Sequence, residues 1–271
     1  MTHKSMSWED AVLWLKCQPD QADLVRACFF DDPLPKAAER YWRSAEWAEV
    51  RTFLPRPGKA LDIGAGRGIS SFALAKDGWR VTALEPDSST EVGAAAIRAL
   101  NSAAGLDIEV VEVFGEKLPF DDATFDLVYA RQALHHAHDL PQLCREAARV
   151  LRPDGRFVAT REHVLSRKED LPSFQNAHPL HRLYGGENAY LLAEYVQAIE
   201  HAGIRMDRVL NPMESDINLH PQTLADARTQ VRRKLFLPAF VPVPQAALRA
   251  VGALGSSPGR LYSFFGTKAH G

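Results

Sequence analysis

Leu61-Asp62-Ile63-Gly64-Ala65-Gly66-Arg67-Gly68 decides the fold. The apolar run Ala60 to Ile63 reads as a short buried strand, and three glycines at alternate positions end it before a helix over Ile69 to Lys76. A strand that must turn sharply and bring its backbone close to a ligand needs positions without a Cβ. The helix that follows offers unpaired N–H groups and a positive dipole end to an anionic group. Taken alone, such a triplet also fits a plain tight turn. The next strand, Arg80 to Leu84, runs into Glu85-Pro86, and Glu85 lies about 20 residues past the loop, where a carboxylate accepts hydrogen bonds from both ribose hydroxyls. Turn and carboxylate together imply a ribonucleoside ligand.

Outward from this point the chain alternates strand and helix. Glu91 to Ala103 reads as a helix, Ile108 to Val113 as a strand, and Phe125 to Ala130 as another. A helix capped by Asp139 carries the stripe Leu140, Leu143, Ala147 and Val150, and Arg152 to Gly155 turns the chain into the strand Arg156 to Thr160. Ala189 to His201 is a further helix, with strands at Arg205 to Leu210 and Arg260 to Gly266. The fold class expected is α/β: a doubly wound, seven-stranded, mostly parallel sheet with helices on both faces. Residues 1–57 read as an N-terminal helical cap, with helices near Trp8 to Leu15 and Lys36 to Leu54, and residues 58–271 as the sheet domain. Two excursions, about 165–188 and 213–259, are too long for plain connectors and read as cap insertions.

Composition narrows the class. The 271 residues are 46% hydrophobic and 24% charged, which supports a buried core. A net charge of −2 gives no basic excess of the kind a dedicated nucleic-acid binder shows. Cys17, Cys28 and Cys144 lack metal-ligand spacing and read as reduced thiols. The opening residues have no apolar leader segment, and no run is long enough to span a bilayer, so a cytoplasmic location without membrane partners is expected.

The motifs resemble those of class I S-adenosylmethionine-dependent methyltransferases of the small-molecule type. The resemblance begins at Leu61-Asp62-Ile63-Gly64-Ala65-Gly66-Arg67-Gly68, where an acid precedes GxGxG; dinucleotide oxidoreductases typically carry GxGxxG without that acid. It continues through Glu85, Glu116-Lys117-Leu118-Pro119-Phe120, Phe125-Asp126-Leu127-Val128 and Ala133-Leu134-His135-His136 to Arg149-Val150-Leu151-Arg152-Pro153-Asp154-Gly155-Arg156-Phe157. The resemblance implies S-adenosyl-L-methionine as cofactor. Asp62 would lie near its methionine moiety, Gly64, Ala65, Gly66 and Gly68 against the loop side, and Glu85 and Pro86 at the ribose. Arg131 is also placed at the cofactor. Many relatives carry an acid for the adenine amino group where this chain has Phe114, so packing on Phe114 and the backbone around Gly115 and Glu116 are expected to hold the adenine instead.

Ligands of such sheets bind beyond the C-terminal strand ends, so catalytic candidates belong there. Three groups qualify: Arg131, Gln132, His135 and His136 after the fourth strand; Arg161, Glu162 and His163 after the fifth; and the polar stretch His178 to Asn188. Histidine titrates near neutrality and is the natural base, which makes His163, His135 and His136 the catalytic candidates. His178, His181, Tyr184 and Asn218 are candidates for binding the acceptor, with Asp216 and His220 nearby in sequence. No histidine pair has helical ligand spacing with an acid, and no metal is expected. Arg228, Arg232, Arg233 and Lys234 make a local basic cluster that fits a solvated face or attraction of an acidic acceptor. The expected activity is methyl transfer to an oxygen or nitrogen of a small molecule; a macromolecular methyltransferase and a non-catalytic nucleoside-binding protein fit the same motifs.

Overall fold

The computed structural model describes residues 6–270. Residues 1–5, part of the opening stretch read as lacking a leader, lie outside them. Four helices come first: α1 (Trp8–Lys16), α2 (Ala22–Ala27), α3 (Leu34–Trp42) and α4 (Ala45–Val50). The single helix expected over Lys36 to Leu54 is broken because Ser44 caps α4, its hydroxyl accepting the Trp47 N–H at 3.1 Å. Asp77 ties this region to the sheet domain, accepting the indole N–H groups of Trp42 and Trp47 and an ion pair from Arg51.

The alternating part follows as β1 (Lys59–Ile63), α5 (Ile69–Lys76), β2 (Arg80–Leu84), α6 (Ala94–Ala104), β3 (Ile108–Val111), β4 (Phe125–Arg131), α7 (Leu140–Val150) and β5 (Leu151–Leu165). Then come α8 (Leu171–Ala177), α9 (Pro179–Tyr184), β6 (Tyr190–Leu191), α10 (Leu192–His201), β7 (Ile204–Leu210), α11 (Asp216–Leu219), α12 (Leu224–Lys234), α13 (Gln245–Leu254) and β8 (Arg260–Lys268). The sheet order is β3-β2-β1-β4-β5-β8-β7. Strands β1 to β5 run parallel, and β8 is antiparallel to both β5 and β7. The described residues hold eight strands where seven were expected, because Tyr190–Leu191 pairs with the end of β5 instead of opening the following helix. The turn expected at Arg152 to Gly155 lies within β5 as an outward loop: Phe125 pairs with Leu151, and the next pairing is Leu127 with Arg156.

Strand alternation feeds two cores, one on each face. Leu61, Ile63, Val128 and Ala130 pack with Leu143, Ala147, Tyr195 and Ile199 of α7 and α10. Ala60, Leu127 and Tyr129 pack with Tyr41, Trp47, Phe72 and Ile97 of α3 to α6. A third, smaller cluster joins Ala11, Val12 and Leu15 of α1 to Leu180 of α9 and to Val92. The N-terminal helix and the first excursion therefore lean on each other, and Glu9 accepts the Thr90 and Glu91 N–H groups of the loop after β2. Among the described residues, no helix is long and apolar enough to cross a membrane.

Candidate active site

The strand order reverses between β1 and β4, and the crevice beyond such a switch point is where open α/β sheets bind ligands. Gly64, Gly66 and Gly68 all adopt left-handed backbone angles, with φ of 64°, 56° and 83°. A Cβ on Gly64 would stand 2.6 Å from that of Ala133, whereas a Cβ on Gly66 would meet only the Val92 carbonyl at 3.9 Å. Gly64 is thus required by packing, and Gly66 leaves clear space before the turn. Glu85 is buried behind it: Gly66 N–H donates to Oε2 at 2.7 Å and Asp87 N–H to Oε1 at 3.0 Å. Burial outweighs these bonds and pushes the carboxyl up to about 7. Asp62 is fully buried at the end of β1. Ser71 and Ser70 donate to its Oδ2 at 2.6 and 2.7 Å, but its Oδ1 has no partner among the described residues, and burial raises this group to about 6.

Ala65 is buried in the turn, and Pro86 is exposed beyond Glu85. Phe114 is 59% exposed, touched edge-on by the His138 ring at 5.7 Å. Gly115 lies close against Leu143, and Glu116 accepts the His138 N–H at 2.9 Å. Arg131 is turned toward the helical cap. Its guanidinium makes a two-point ion pair with the fully buried Glu46 at 2.6 and 3.0 Å, with its carbon 5.1 Å from the Tyr41 ring centre. Its charge still reaches Asp62 and draws that group down against the larger effect of burial.

The histidines assemble on the other side of the crevice. Opposite Ser263 of β8, strand β5 carries an extra residue, with Arg161 at φ 60°; the register shifts between Ala159 and Glu162. Arg161 donates to the carbonyls of Ile217 and His220, while Glu162 accepts the Ala133 and His135 N–H groups. His135, 1% exposed, lies between two carboxylates, with Nδ1 at 2.7 Å from Glu162 and Nε2 at 3.1 Å from Glu187. Burial opposes its charge, but Glu162 and Glu187 lift it to about 9, so it is an imidazolium at neutral pH. Glu187 is only 3% exposed, and His135 with His136 overcomes its burial and holds it at about 2.

His163 bonds the Gly259 carbonyl through Nδ1 at 3.0 Å and meets the His135 ring edge-on at 4.8 Å. Burial and the charge of His135 keep it neutral, well below the usual histidine range. His136, more open to solvent, is pushed down to about 4 by burial and by His135. His181 is buried with Nε2 3.8 Å from Glu187, and its ring lies 4.8 Å from that of His178, which caps α9. Tyr184 packs edge-on against Trp8 at 5.5 Å.

Five sequence-selected histidines, 135, 136, 163, 178 and 181, thus form one group. Asn218 does not join it. Its amide donates to the Leu210 and Asn211 carbonyls and its oxygen accepts the Ser263 hydroxyl, so every strong bond is made inside the fold. His220 stacks on Phe29 at 5.0 Å, and Asp216 accepts the Leu224 N–H, both apart from the histidines. Glu187 and Glu46 were not singled out by the sequence reading. Their importance comes from partners 52 and 85 residues away, which no local pattern reveals.

The glycine turn at the switch point, with a carboxylate at the end of β2, defines a class I methyltransferase architecture. The chain matches, over residues 61–159, the family described as "Methyltransferase domain". It is 42% identical over 106 residues to a sarcosine/dimethylglycine N-methyltransferase of Halorhodospira halochloris, covering 37% of this chain and 36% of that one. It is 39% identical over 124 residues to a demethylmenaquinone methyltransferase of Mycobacterium marinum, covering 44% and 47%. The chain thus matches less than half the length of either curated relative. Among solved structures, a geranyl diphosphate C-methyltransferase from Streptomyces coelicolor, in complex with Mg2+, geranyl diphosphate and S-adenosyl-L-homocysteine, superposes with a TM-score of 0.61. That likeness covers 99% of this chain and 100% of the other at 16% identity, and it concerns the fold.

Proposed function

We propose that the protein transfers a methyl group from S-adenosyl-L-methionine to an oxygen or nitrogen of a small-molecule acceptor. The observation that carries this reading is the cradle formed by the left-handed turn at Gly64, Gly66 and Gly68 with Glu85 behind it and Asp62 at its base. The cradle fits the cofactor. Gly66 leaves the space that a nucleoside needs, each Glu85 oxygen keeps a lone pair for a ribose hydroxyl, and Asp62 Oδ1 has an unmet demand that an ammonium group answers. Phe114 offers an exposed face to the adenine, beside the backbone of Gly115 and Glu116.

When bound, the cofactor supplies an electrophilic methyl on a sulfonium. What the chain contributes is mainly orientation, since in-line displacement is accelerated by holding the nucleophile near attack distance. The histidine group forms the acceptor side. His135 is fixed at both ring nitrogens and serves as a support. His163, whose Nδ1 is committed to Gly259, and His136 keep Nε2 for the proton of an acceptor hydroxyl or ammonium. His178, His181 and Tyr184 sit on the excursion that α1 braces, a cover that excludes water. The small-molecule relatives support this choice over a macromolecular acceptor.

Calorimetry with S-adenosylhomocysteine tests the cofactor assignment, with low-micromolar binding expected as an order-of-magnitude figure. Binding of NAD(H) in preference would overturn it. A screen for S-adenosylhomocysteine release against fractionated metabolites tests turnover, and silence across all fractions would favour a nucleoside-binding protein without catalysis.

A further inference from the structure

An ion pair accounts for His135 and one oxygen of Glu187, but not for what surrounds them. His135, His163 and Glu187 each present one ligand-type atom, and these three atoms lie within 4.8 Å of one another. Each imidazole has one nitrogen fixed by a neighbour: Glu162 holds His135 Nδ1 at 2.7 Å, and the Gly259 carbonyl holds His163 Nδ1 at 3.0 Å. Metal-bound histidines characteristically hand their second nitrogen to a carboxylate or a backbone carbonyl, which sets the tautomer and aims the first. Glu187 Oε2 is buried without a partner among the described residues. Two further nitrogens, His136 Nε2 and His181 Nε2, stand 3.8 Å from Glu187 Oε1.

We infer that His135, His163 and Glu187 form a binding site for a divalent first-row transition ion, with His181 in reach as a further donor and one position left for the acceptor. This deepens the proposed function and rests on reading the histidine group as the acceptor side. Two imidazoles and one carboxylate suit zinc or iron(II), whereas magnesium favours an all-oxygen shell. With bonds of about 2.0–2.1 Å, ligand atoms around a tetrahedral zinc stand about 3.3 Å apart. Glu187 Oε1 and His135 Nε2 already meet at 3.1 Å, and rotation of the Glu187 carboxylate brings its second oxygen toward the centre. A bound ion would polarise an acceptor oxygen and lower its pKa. Binding would release the His135 Nε2 proton to solvent and take up the nitrogen His163 otherwise offers the acceptor, so His136, outside the ligand set, remains to take the acceptor's proton.

The test uses the full chain, stripped with a chelator and titrated with Co2+, followed by visible d–d absorption and then by competition with Zn2+. One equivalent is expected. His163→Ala and Glu187→Gln should each weaken Co2+ binding at least tenfold, and Glu162→Gln about tenfold through the His135 ring. The exposed His201→Ala should bind as wild type. Circular dichroism checks each variant, and the His163 variant decides if the Glu187 variant does not fold. No saturable cobalt spectrum in folded wild type, or unchanged affinity in the His163 variant, overturns the site. S-adenosylhomocysteine calorimetry on the same samples separates the two readings: cofactor binding without cobalt binding removes only the metal, and cobalt binding without cofactor binding removes only the methyltransferase reading.

Discussion

Glu85 accepts the backbone N–H of Gly66 at 2.7 Å, so the acid that would hold a ribose also holds the turn that would face it. The two halves of the proposed cofactor cradle are a single hydrogen-bonded unit. Glu85→Ala is therefore expected to weaken S-adenosylhomocysteine binding by about tenfold to a hundredfold, as the loss of charge-assisted bonds does. It should also lower the melting temperature, because the Gly66 and Asp87 N–H groups lose their acceptor. An unchanged affinity in calorimetry would remove Glu85 from the ribose.

The pH dependence has opposite signs for stability and for binding. Glu85 is raised from 4.5 to about 7 and Asp62 from 3.8 to about 6, chiefly by burial. Between the unfolded and folded values the native state holds the extra proton, so their contribution to stability is full below about pH 4 and falls as pH rises toward 7. A ribose donating hydrogen bonds favours the ionised Glu85, so cofactor affinity should rise between pH 6 and 8. Glu85→Gln should flatten that rise, and a slope that survives in the variant would assign it to another group.

The two glycines of the turn should separate packing from ligand space. Gly64→Ala meets both a left-handed φ and the Ala133 methyl, a combined cost of about 2–5 kcal/mol. Gly66→Ala meets the left-handed φ alone, about 1–2 kcal/mol, yet its methyl enters the space assigned to the cofactor. Denaturant unfolding should rank Gly64→Ala as the less stable, while calorimetry should show Gly66→Ala folded and poor at binding. Wild-type affinity in Gly66→Ala would displace the cofactor from this turn.

Glu46 is fully buried, and although burial is the largest single effect and opposes its charge, Arg131 and Arg161 together hold its carboxyl below the usual range. Glu46→Ala leaves a buried guanidinium without its partner and should destabilise by about 3–5 kcal/mol. Replacing both residues with apolar ones of similar volume should restore most of that loss. Chemical denaturation reads both, and a Glu46→Ala protein as stable as wild type would mean that solvent reaches Arg131.

The strand-to-glycine turn, Glu85 and the alternation up to Phe157 were legible because each is set by local chemistry. Left-handed turns demand glycine, and buried parallel strands demand short apolar runs. The sequence could also nominate His135, His136, His163, His178 and His181, since residues that follow strand ends face the crevice. It misread the helix over Lys36 to Leu54, where Ser44 caps a new start, and it missed β6, whose two residues become a strand only beside β5. It nominated Asn218 and Arg131 as ligand contacts, and it could not show the bonds that both make inside the fold. The sequence by itself determined the α/β architecture and the glycine turn with its carboxylate, because these rest on contacts between residues near in the chain. Only the tertiary structure decided which histidine is held charged, which keep a free nitrogen, and that Glu187 stands among them. Those properties depend on burial and on carboxylates brought from 27 and 52 residues away.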